Sequence, residues 1–310
     1  MDGLVIKNTG SWVDVRTDGG EVVRCKVKGN FRLKGIRSTS PVVVGDYVTF
    51  ERNSEGTAFI NDIRDRRNYI IRKSINLSKQ SHILAANVDV CLLVVTLREP
   101  VTSIVFIDRF LATAEAYSIP VSIIINKVDL LSAEEKEEAE RLAKLYSDIG
   151  YHTLITSVTK RLGLESLPDL LKDKTALLAG NSGVGKSELL NWLVPGAGAR
   201  TAPISEAHLS GMHTTTFSEM YDLPFGGRLI DIPGVKGFGT FNFEREEVSH
   251  YFREIFTVGR GCRFSNCIHV NEPGCAVREA VERGEIAGSR YNSYLNMLDD
   301  QDESKYREGY

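Results

Sequence analysis

Hydrophobic and polar positions alternate with period two along residues 1–70, and then the period changes. Leu4-Val5-Ile6-Lys7, Trp12-Val13-Asp14-Val15-Arg16 and Glu21-Val22-Val23-Arg24-Cys25-Lys26-Val27 read as short strands. Gly45-Asp46-Tyr47-Val48-Thr49-Phe50 and Ala58-Phe59-Ile60-Asn61-Asp62-Ile63 add two more. Thr17-Asp18-Gly19-Gly20 supplies a hairpin turn, because Asp-Gly and Gly-Gly tolerate the positive φ it needs. Five short strands in this span predict a small β-barrel of the OB type, with an SH3-like barrel as the alternative.

From residue 71 to 240 strand and helix alternate. Val88 to Val95 and Val121 to Ile125 are near-continuous apolar runs, as strands covered on both faces must be. Ile104, Ile107, Leu111 and Ala114 fall at helical spacing. Ser132-Ala133-Glu134-Glu135 is a capping box that opens a helix ending near Gly150. Thr153-Leu154-Ile155 and Thr175 to Ala179 are further strands. The pattern is doubly wound α/β, which places ligands at the carboxyl ends of the strands. Residues 241–310 read as helices at Glu246 to Phe256, Ala276 to Arg283 and Ser289 to Leu298 around a cysteine-rich loop. The polar tail from Asp299 to Tyr310 is expected to fray.

Composition narrows the class only slightly. The chain has 310 residues and a formal net charge of −3, so overall charge points to no nucleic-acid partner. Local charge differs. Lys26, Lys28, Arg32, Lys34 and Arg37, then Arg64, Arg66, Arg67, Arg72 and Lys73, are interspersed with Phe31, Tyr47 and Phe59. Such side chains neutralise phosphates and stack on bases, or else form a solvated face over core aromatics. No run approaches the roughly 18 apolar residues of a membrane helix, and Met1-Asp2-Gly3-Leu4-Val5 lacks the pattern of a signal peptide. A cytoplasmic protein with no membrane contact is expected.

Chemistry concentrates in four places. Gly180-Asn181-Ser182-Gly183-Val184-Gly185-Lys186-Ser187 fits G-x-x-x-x-G-K-S between an apolar strand and a helix, the context of a phosphate-binding loop. Backbone N–H groups and the helix N-terminus should cradle phosphates. Lys186 should reach the β- and γ-phosphates, and Ser187 should bind magnesium. Asn126-Lys127-Val128-Asp129 ends a strand and should read guanine. The Asp129 carboxylate can accept from N1–H and the 2-amino group, a donor pair adenine lacks. Thr156-Ser157-Val158, after the next strand, resembles a weak backbone contact to the guanine oxygen. Asp231-Ile232-Pro233-Gly234 should hold magnesium through water at Asp231 and face the γ-phosphate with the Gly234 N–H. Val235 stands where familiar GTPases carry a water-orienting glutamine, which leaves His213 as the candidate for that role, or else as a plain surface histidine. Thr215 or Thr216 in His213-Thr214-Thr215-Thr216 should ligate magnesium. Finally, Cys262-x4-Cys267-x-His269-x5-Cys275 offers three thiolates and an imidazole, the donor set of one closed structural zinc site. Cys25 and Cys91 fall in strands and suit the core.

The base-reading element precedes the phosphate loop, the reverse of the Ras-like order, so the GTPase unit reads as circularly permuted. The whole set resembles the ribosome small-subunit-dependent GTPase A family: barrel, motif order Asn126–Gly180–Asp231, the His213 to Thr216 segment and the cysteine finger. The resemblance covers nearly the whole chain. It implies three units, an OB-fold RNA-binding barrel (1–70), a circularly permuted Ras-like P-loop GTPase domain (71–240) and a C-terminal helical zinc-binding domain (241–310). It also implies a late-stage assembly factor that hydrolyses GTP with Mg2+, binds rRNA of the small ribosomal subunit, is stimulated by that subunit and works as a monomer. It supports His213 as the catalytic group. Asp-Ile-Pro-Gly replaces the family's Asp-Ser/Thr-Pro-Gly, and Glu188 follows the phosphate loop where a small or polar residue is common; neither position is a ligand. Rival readings are a translation or tRNA-modification GTPase, a small-metabolite kinase, which Asn126 to Asp129 argues against, and an RNA-binding module with a residual nucleotide site.

Overall fold

The computed structural model of the chain describes residues 1–27, 41–73, 81–199, 218–232 and 243–306. The first five strands are β1 (Asp2–Asn8), β2 (Val13–Thr17), β3 (Val22–Val27), β4 (Tyr47–Arg52) and β5 (Ala58–Ile63). β1, β2 and β3 form an antiparallel meander. β3 then pairs parallel with β5, β5 antiparallel with β4, and β4 returns to β1, closing the barrel. That order, with its parallel β3–β5 contact, is the OB arrangement and displaces the SH3-like alternative. The alternating positions Val13, Val15, Val23, Cys25, Val48, Phe50, Ala58 and Ile60 fill the interior. In the β2–β3 turn, Gly20 alone takes positive φ (+84°), and its N–H donates to the Thr17 carbonyl at 2.9 Å.

A hairpin follows that the sequence pattern does not announce: β6 (Tyr69–Lys73) and β7 (Ser81–Ala86). It packs beneath the barrel, where the Ala86 N–H donates to the Val44 carbonyl at 3.1 Å. Arg66 is enclosed in the same seam. Its guanidinium donates to both Asp46 oxygens at 2.7 Å and to the Pro41 carbonyl, and both side chains are buried. Arg66 is therefore a structural cation rather than a free one for phosphates.

The α/β unit contains β8 (Val90–Val95), α1 (Ile104–Ala116), β9 (Val121–Ile125), α2 (Ala133–Asp148), β10 (His152–Ile155), α3 (Leu167–Leu171), β11 (Thr175–Ala179), α4 (Lys186–Leu193), β12 (Ser218–Asp222) and β13 (Arg228–Asp231). Its strands lie in the order β10-β9-β8-β11-β13-β12, parallel except β12. β11 sits centrally although β8, β9 and β10 precede it in the chain, which is the permutation made visible. The outer edge of β12 pairs with β1, so barrel and α/β unit share one continuous 11-stranded sheet.

α1 begins at Ser103, whose Oγ accepts from the Phe106 N–H, and α2 at the expected Ser132–Glu135 capping box. Ile107, Phe110, Leu111 and Ala114 face the main core, while Ile104 at the first position stays exposed. Ala112, on another side of α1, joins a separate core with the C-terminal helices. Those helices are α5 (Arg253–Gly259), α6 (Ala276–Glu282) and α7 (Gly288–Tyr306). The expected helix over Glu246 to Phe256 is broken. A single 3-10 turn covers Val248–Tyr251, and extended backbone at Phe252 seats its fully buried ring 5.6 Å from Tyr294. α7 also continues past Leu298, where fraying was expected; the four residues after Tyr306 lie outside the described residues.

Candidate functional site

The phosphate loop leaves β11 at its carboxyl end and enters α4 directly. Gly180 has φ +139°, and a Cβ there would lie 2.3 Å from the Val94 carbonyl oxygen of β8. Gly185 has φ +100°, and a Cβ would lie 2.3 Å from the Asn126 amide nitrogen. Both positions call for glycine, because φ is positive and the Val94 carbonyl or the Asn126 amide approaches too closely for a Cβ. Asn181 is half-buried, Ser182 and Gly183 form the exposed tip, Val184 is buried, and Ser187 lies in the first turn of α4. Lys186 Nζ donates to the Gly180 and Asn181 carbonyls at 2.8 and 2.6 Å. Burial pulls its pKa below the usual lysine value, with Asp231 and Glu188 working the other way.

The candidate base-reading loop leaves β9 beside it. Asn126 is buried and fully engaged. Its Nδ2 donates to the Val184 carbonyl at 2.9 Å, while Oδ1 accepts from the Thr156 hydroxyl and the Val158 N–H at 3.2 Å each. One side chain thus ties the phosphate loop to both loops of the candidate base site. Lys127 adopts φ +64°, and its Nζ donates to the Glu99 carbonyl at 2.6 Å. Asp129 accepts from the Ser157 hydroxyl, and from Thr159 at 3.4 Å. The Lys160 N–H donates to Ser157 Oγ, which leaves the hydroxyl proton for Asp129. The hydroxyl of Ser157 was not singled out by sequence, where only backbone contact was expected; its placement depends on the register of β10 against β9.

Asp231 ends β13. Burial raises its pKa, Lys186 opposes that rise, and Glu219 adds to it. The strand ends therefore bring Lys186, Asp231, Asn126 and Asp129 to one rim of the sheet. His213, Thr214, Thr215, Thr216, Gly234 and Val235 lie outside the described residues, as do Lys28, Phe31, Arg32, Lys34 and Arg37.

On the barrel, Trp12 carries Lys26 Nζ at 4.7 Å and the Arg24 guanidinium at 5.1 Å from its ring centre. Sequence pointed to Lys26 but missed Trp12 and Arg24. The signal was the β2–β3 pairing, which opposes Val13 to Cys25 and Asp14 to Arg24 and brings these side chains to one surface. Arg64 and Arg67 are instead paired with Asp2 and Asp89.

The C-terminal cluster meets the requirements of a metal centre. The ligand atoms of Cys262, Cys267, His269 and Cys275 all lie within 4.8 Å of one another. Cys262 Sγ to Cys275 Sγ is 3.9 Å, and His269 Nδ1 is 3.5 Å from each. A tetrahedron with metal–sulfur bonds of about 2.3 Å has edges of roughly 3.8 Å, so the donors fit one ion. Burial lowers the His269 pKa, which favours the neutral ring a ligand needs, and pushes the Cys267 thiol up to about 12. A cation would offset that cost by holding the thiolate. Glu272 shapes the loop by accepting N–H bonds from Ile268, Val270 and Asn271. Tyr291 and Tyr294 of α7 donate to the His269 and Ile268 carbonyls at 2.6 Å.

A phosphate loop on the central strand, with a base-reading loop beside it that comes first in the chain, defines a circularly permuted P-loop GTPase. The RsgA GTPase family model matches residues 63–241, and the RsgA N-terminal domain model matches residues 2–60. The small ribosomal subunit biogenesis GTPase RsgA 2 of Bacteroides thetaiotaomicron is 58% identical over 310 residues, covering 100% of both chains. The crystal structure of YjeQ from Thermotoga maritima superposes with TM-score 0.76 at 36% identity, covering 97% of this chain and 98% of that one. YloQ, described as a circularly permuted GTPase, matches with TM-score 0.72 at 30% identity over 98% and 95%. This chain belongs to the RsgA GTPase family, and its enzymatic activity is GTP hydrolysis.

Proposed function

We propose that the protein is a late-stage assembly factor of the small ribosomal subunit. In this reading it is a cytoplasmic monomer that binds rRNA and hydrolyses GTP when the subunit engages it. The observation that supports this most is the full-length similarity to a small ribosomal subunit biogenesis GTPase, joined to a barrel and a Cys3His finger flanking the nucleotide site. Residues 1–70 supply RNA binding, 71–240 the GTPase and 241–310 the second RNA-facing unit. Among the described residues no helix is long and apolar enough to cross a membrane.

In the nucleotide site, the backbone N–H groups of Gly180 to Ser187 receive the phosphates, and Lys186 exchanges its two loop carbonyls for β- and γ-phosphate oxygens. Ser187 and Asp231 hold magnesium, joined by Thr215 or Thr216. Bound with the nucleotide, that ion would supply positive charge to offset the negative charge that develops on the transferring phosphoryl group. Asp129 reads guanine, supported by Asn126, Lys127, Thr156 and Ser157. The Gly234 N–H faces the γ-phosphate, and His213 positions the attacking water because Val235 offers no polar group. His213→Ala should leave nucleotide binding nearly intact and reduce subunit-stimulated hydrolysis by about 10- to 1,000-fold, the range for losing one such group. Stimulated turnover at the wild-type rate would assign the water to another group, such as one supplied by the ribosome.

The ion that fits the finger best is zinc, since three thiolates and an imidazole in a closed tetrahedron suit it. Chelation, or Cys267→Ser, should release about one zinc per chain and loosen α6 and α7, while GTP affinity largely survives. Elemental analysis of freshly purified protein finding no zinc would end this assignment.

The functional test is GTP turnover with and without small ribosomal subunits, paired with co-sedimentation in different nucleotide states. Turnover should rise with subunits, and affinity should be higher with a non-hydrolysable GTP analogue than with GDP. Linkage then requires the subunit to tighten GTP binding by the same factor. Equal affinity in both states, with no stimulation, would leave only a constitutive RNA-binding protein.

A further inference from the structure

Asp231 is one member of a row of charges that crosses from the GTPase unit into the barrel. On β13 it lies opposite Glu219 of β12, and Glu219 lies opposite Lys7 of β1. Directly opposed residues of antiparallel strands share a face, with Cβ atoms about 5 Å apart. Lys7 Nζ donates to Glu219 Oε1 at 2.8 Å, and the Tyr221 hydroxyl donates to Oε2 at 3.3 Å. From the other side, the Lys186 charge acts on Asp231. The row thus runs Lys7, Glu219, Asp231, Lys186, with two carboxylates adjacent at its centre.

Two like charges opposed across a sheet destabilise it unless a cation compensates them. Lys186 is expected to turn to phosphate, so it cannot serve Asp231 alone. Lys7 faces Glu219 from the barrel side and covers only part of that charge, because both side chains keep 35% of their exposure. A divalent ion beside Asp231 would relieve the remainder.

We propose that Glu219 is a positioning residue for the divalent cation linked to Asp231, and that Lys7 lets the barrel set how tightly that cation is held. The inference rests on Asp231 as the magnesium-linked acid. Its consequence for regulation is direct. An RNA phosphate that draws Lys7 away bares Glu219 and strengthens the field at the cation. Binding at the barrel would then reach the nucleotide site through one ion pair.

The test uses the full chain and a fluorescent GDP analogue, whose retention is followed against Mg2+ concentration. Glu219→Gln should raise the half-saturating Mg2+ by about three- to ten-fold, the effect of removing one partly screened charge at this range. Lys7→Gln should lower it by about two- to five-fold. In the double variant most of the Lys7→Gln shift should be lost, because Lys7 lies farther from the cation and acts mainly through its ion pair with Glu219. A purely structural role would weaken retention even at saturating Mg2+ without moving the midpoint, and that result would overturn the inference. So would a Lys7→Gln shift that persists in full when Glu219 is already glutamine. Asp231→Asn separates the two levels. If it abolishes the Mg2+ response while Lys7→Gln and Glu219→Gln behave as wild type, the magnesium assignment stands and this inference falls. If Asp231→Asn keeps the wild-type response, the assignment falls and this inference with it.

Discussion

Arg290→Met is expected to destabilise the C-terminal unit by about 3–5 kcal/mol, the cost of leaving a buried charge without its partner. Arg290 of α7 is 1% exposed. Its Nη1 donates to Asp108 Oδ1 of α1 at 2.7 Å, and Nε and Nη2 donate to the Glu254 carboxylate of α5 at 2.7 and 3.1 Å. Tyr146 of α2 donates its hydroxyl to the same Asp108 oxygen at 2.7 Å. Burial works against the guanidinium charge, but Asp108 and Glu254 outweigh it and raise the Arg290 pKa. Burial raises the Asp108 pKa, and the Arg290 charge and the hydrogen bonds from Arg290 and Tyr146 work against that rise. Methionine fills similar volume but strands both carboxylates in the seam between the GTPase core and the finger. Hydrogen exchange should accelerate in α1, α5 and α7, and the denaturant midpoint of the C-terminal transition should fall. Replacing all three groups together, Arg290→Met with Asp108→Leu and Glu254→Leu, should recover most of the loss, because the penalty lies in the unpaired charge. A single-variant shift below about 1 kcal/mol would show that solvent reaches the seam.

The second large effect concerns the base. Asp129→Asn should weaken GTP and favour xanthosine nucleotides, with discrimination on the order of several kcal/mol, as where buried polar groups lose their partners. The carboxylate can accept two hydrogen bonds from guanine, whereas the amide presents a donor that suits the carbonyl xanthine carries instead. Ser157 can still donate to the amide oxygen, so the loop should keep its shape. Competition binding with GTP, XTP and ATP reads the outcome. Equal wild-type affinity for GTP and ATP would remove the base-reading role.

Much of this was legible in the chain. Period-two alternation follows from strands with one buried face, so β1 to β5 appear directly in the sequence. The phosphate loop is legible because a Cβ at Gly180 or Gly185 would meet backbone or amide atoms at 2.3 Å, and both positions call for glycine. The finger's donors lie close in sequence, so their spacing points to one ion. The β6–β7 hairpin was missed because Tyr69-Ile70-Ile71 is too short a run to separate from a loop. The break at Phe252 was missed because its apolar spacing also suits a continuous helix; only the pocket beside Tyr294 decides it.

Local elements, and the chemistry carried within single segments, follow from short-range pattern, since propensity, capping and glycine requirements act over a few residues. Which segments touch is a matter of long-range packing. Asn126 grips Val184 across 58 positions, Arg290 finds Asp108 across 182, and Lys7 meets Glu219 across 212. An edge strand can pair with any compatible edge, and a charged side chain with any opposite charge. Those choices are made by packing the whole chain, and they wire the barrel and the finger to the nucleotide site.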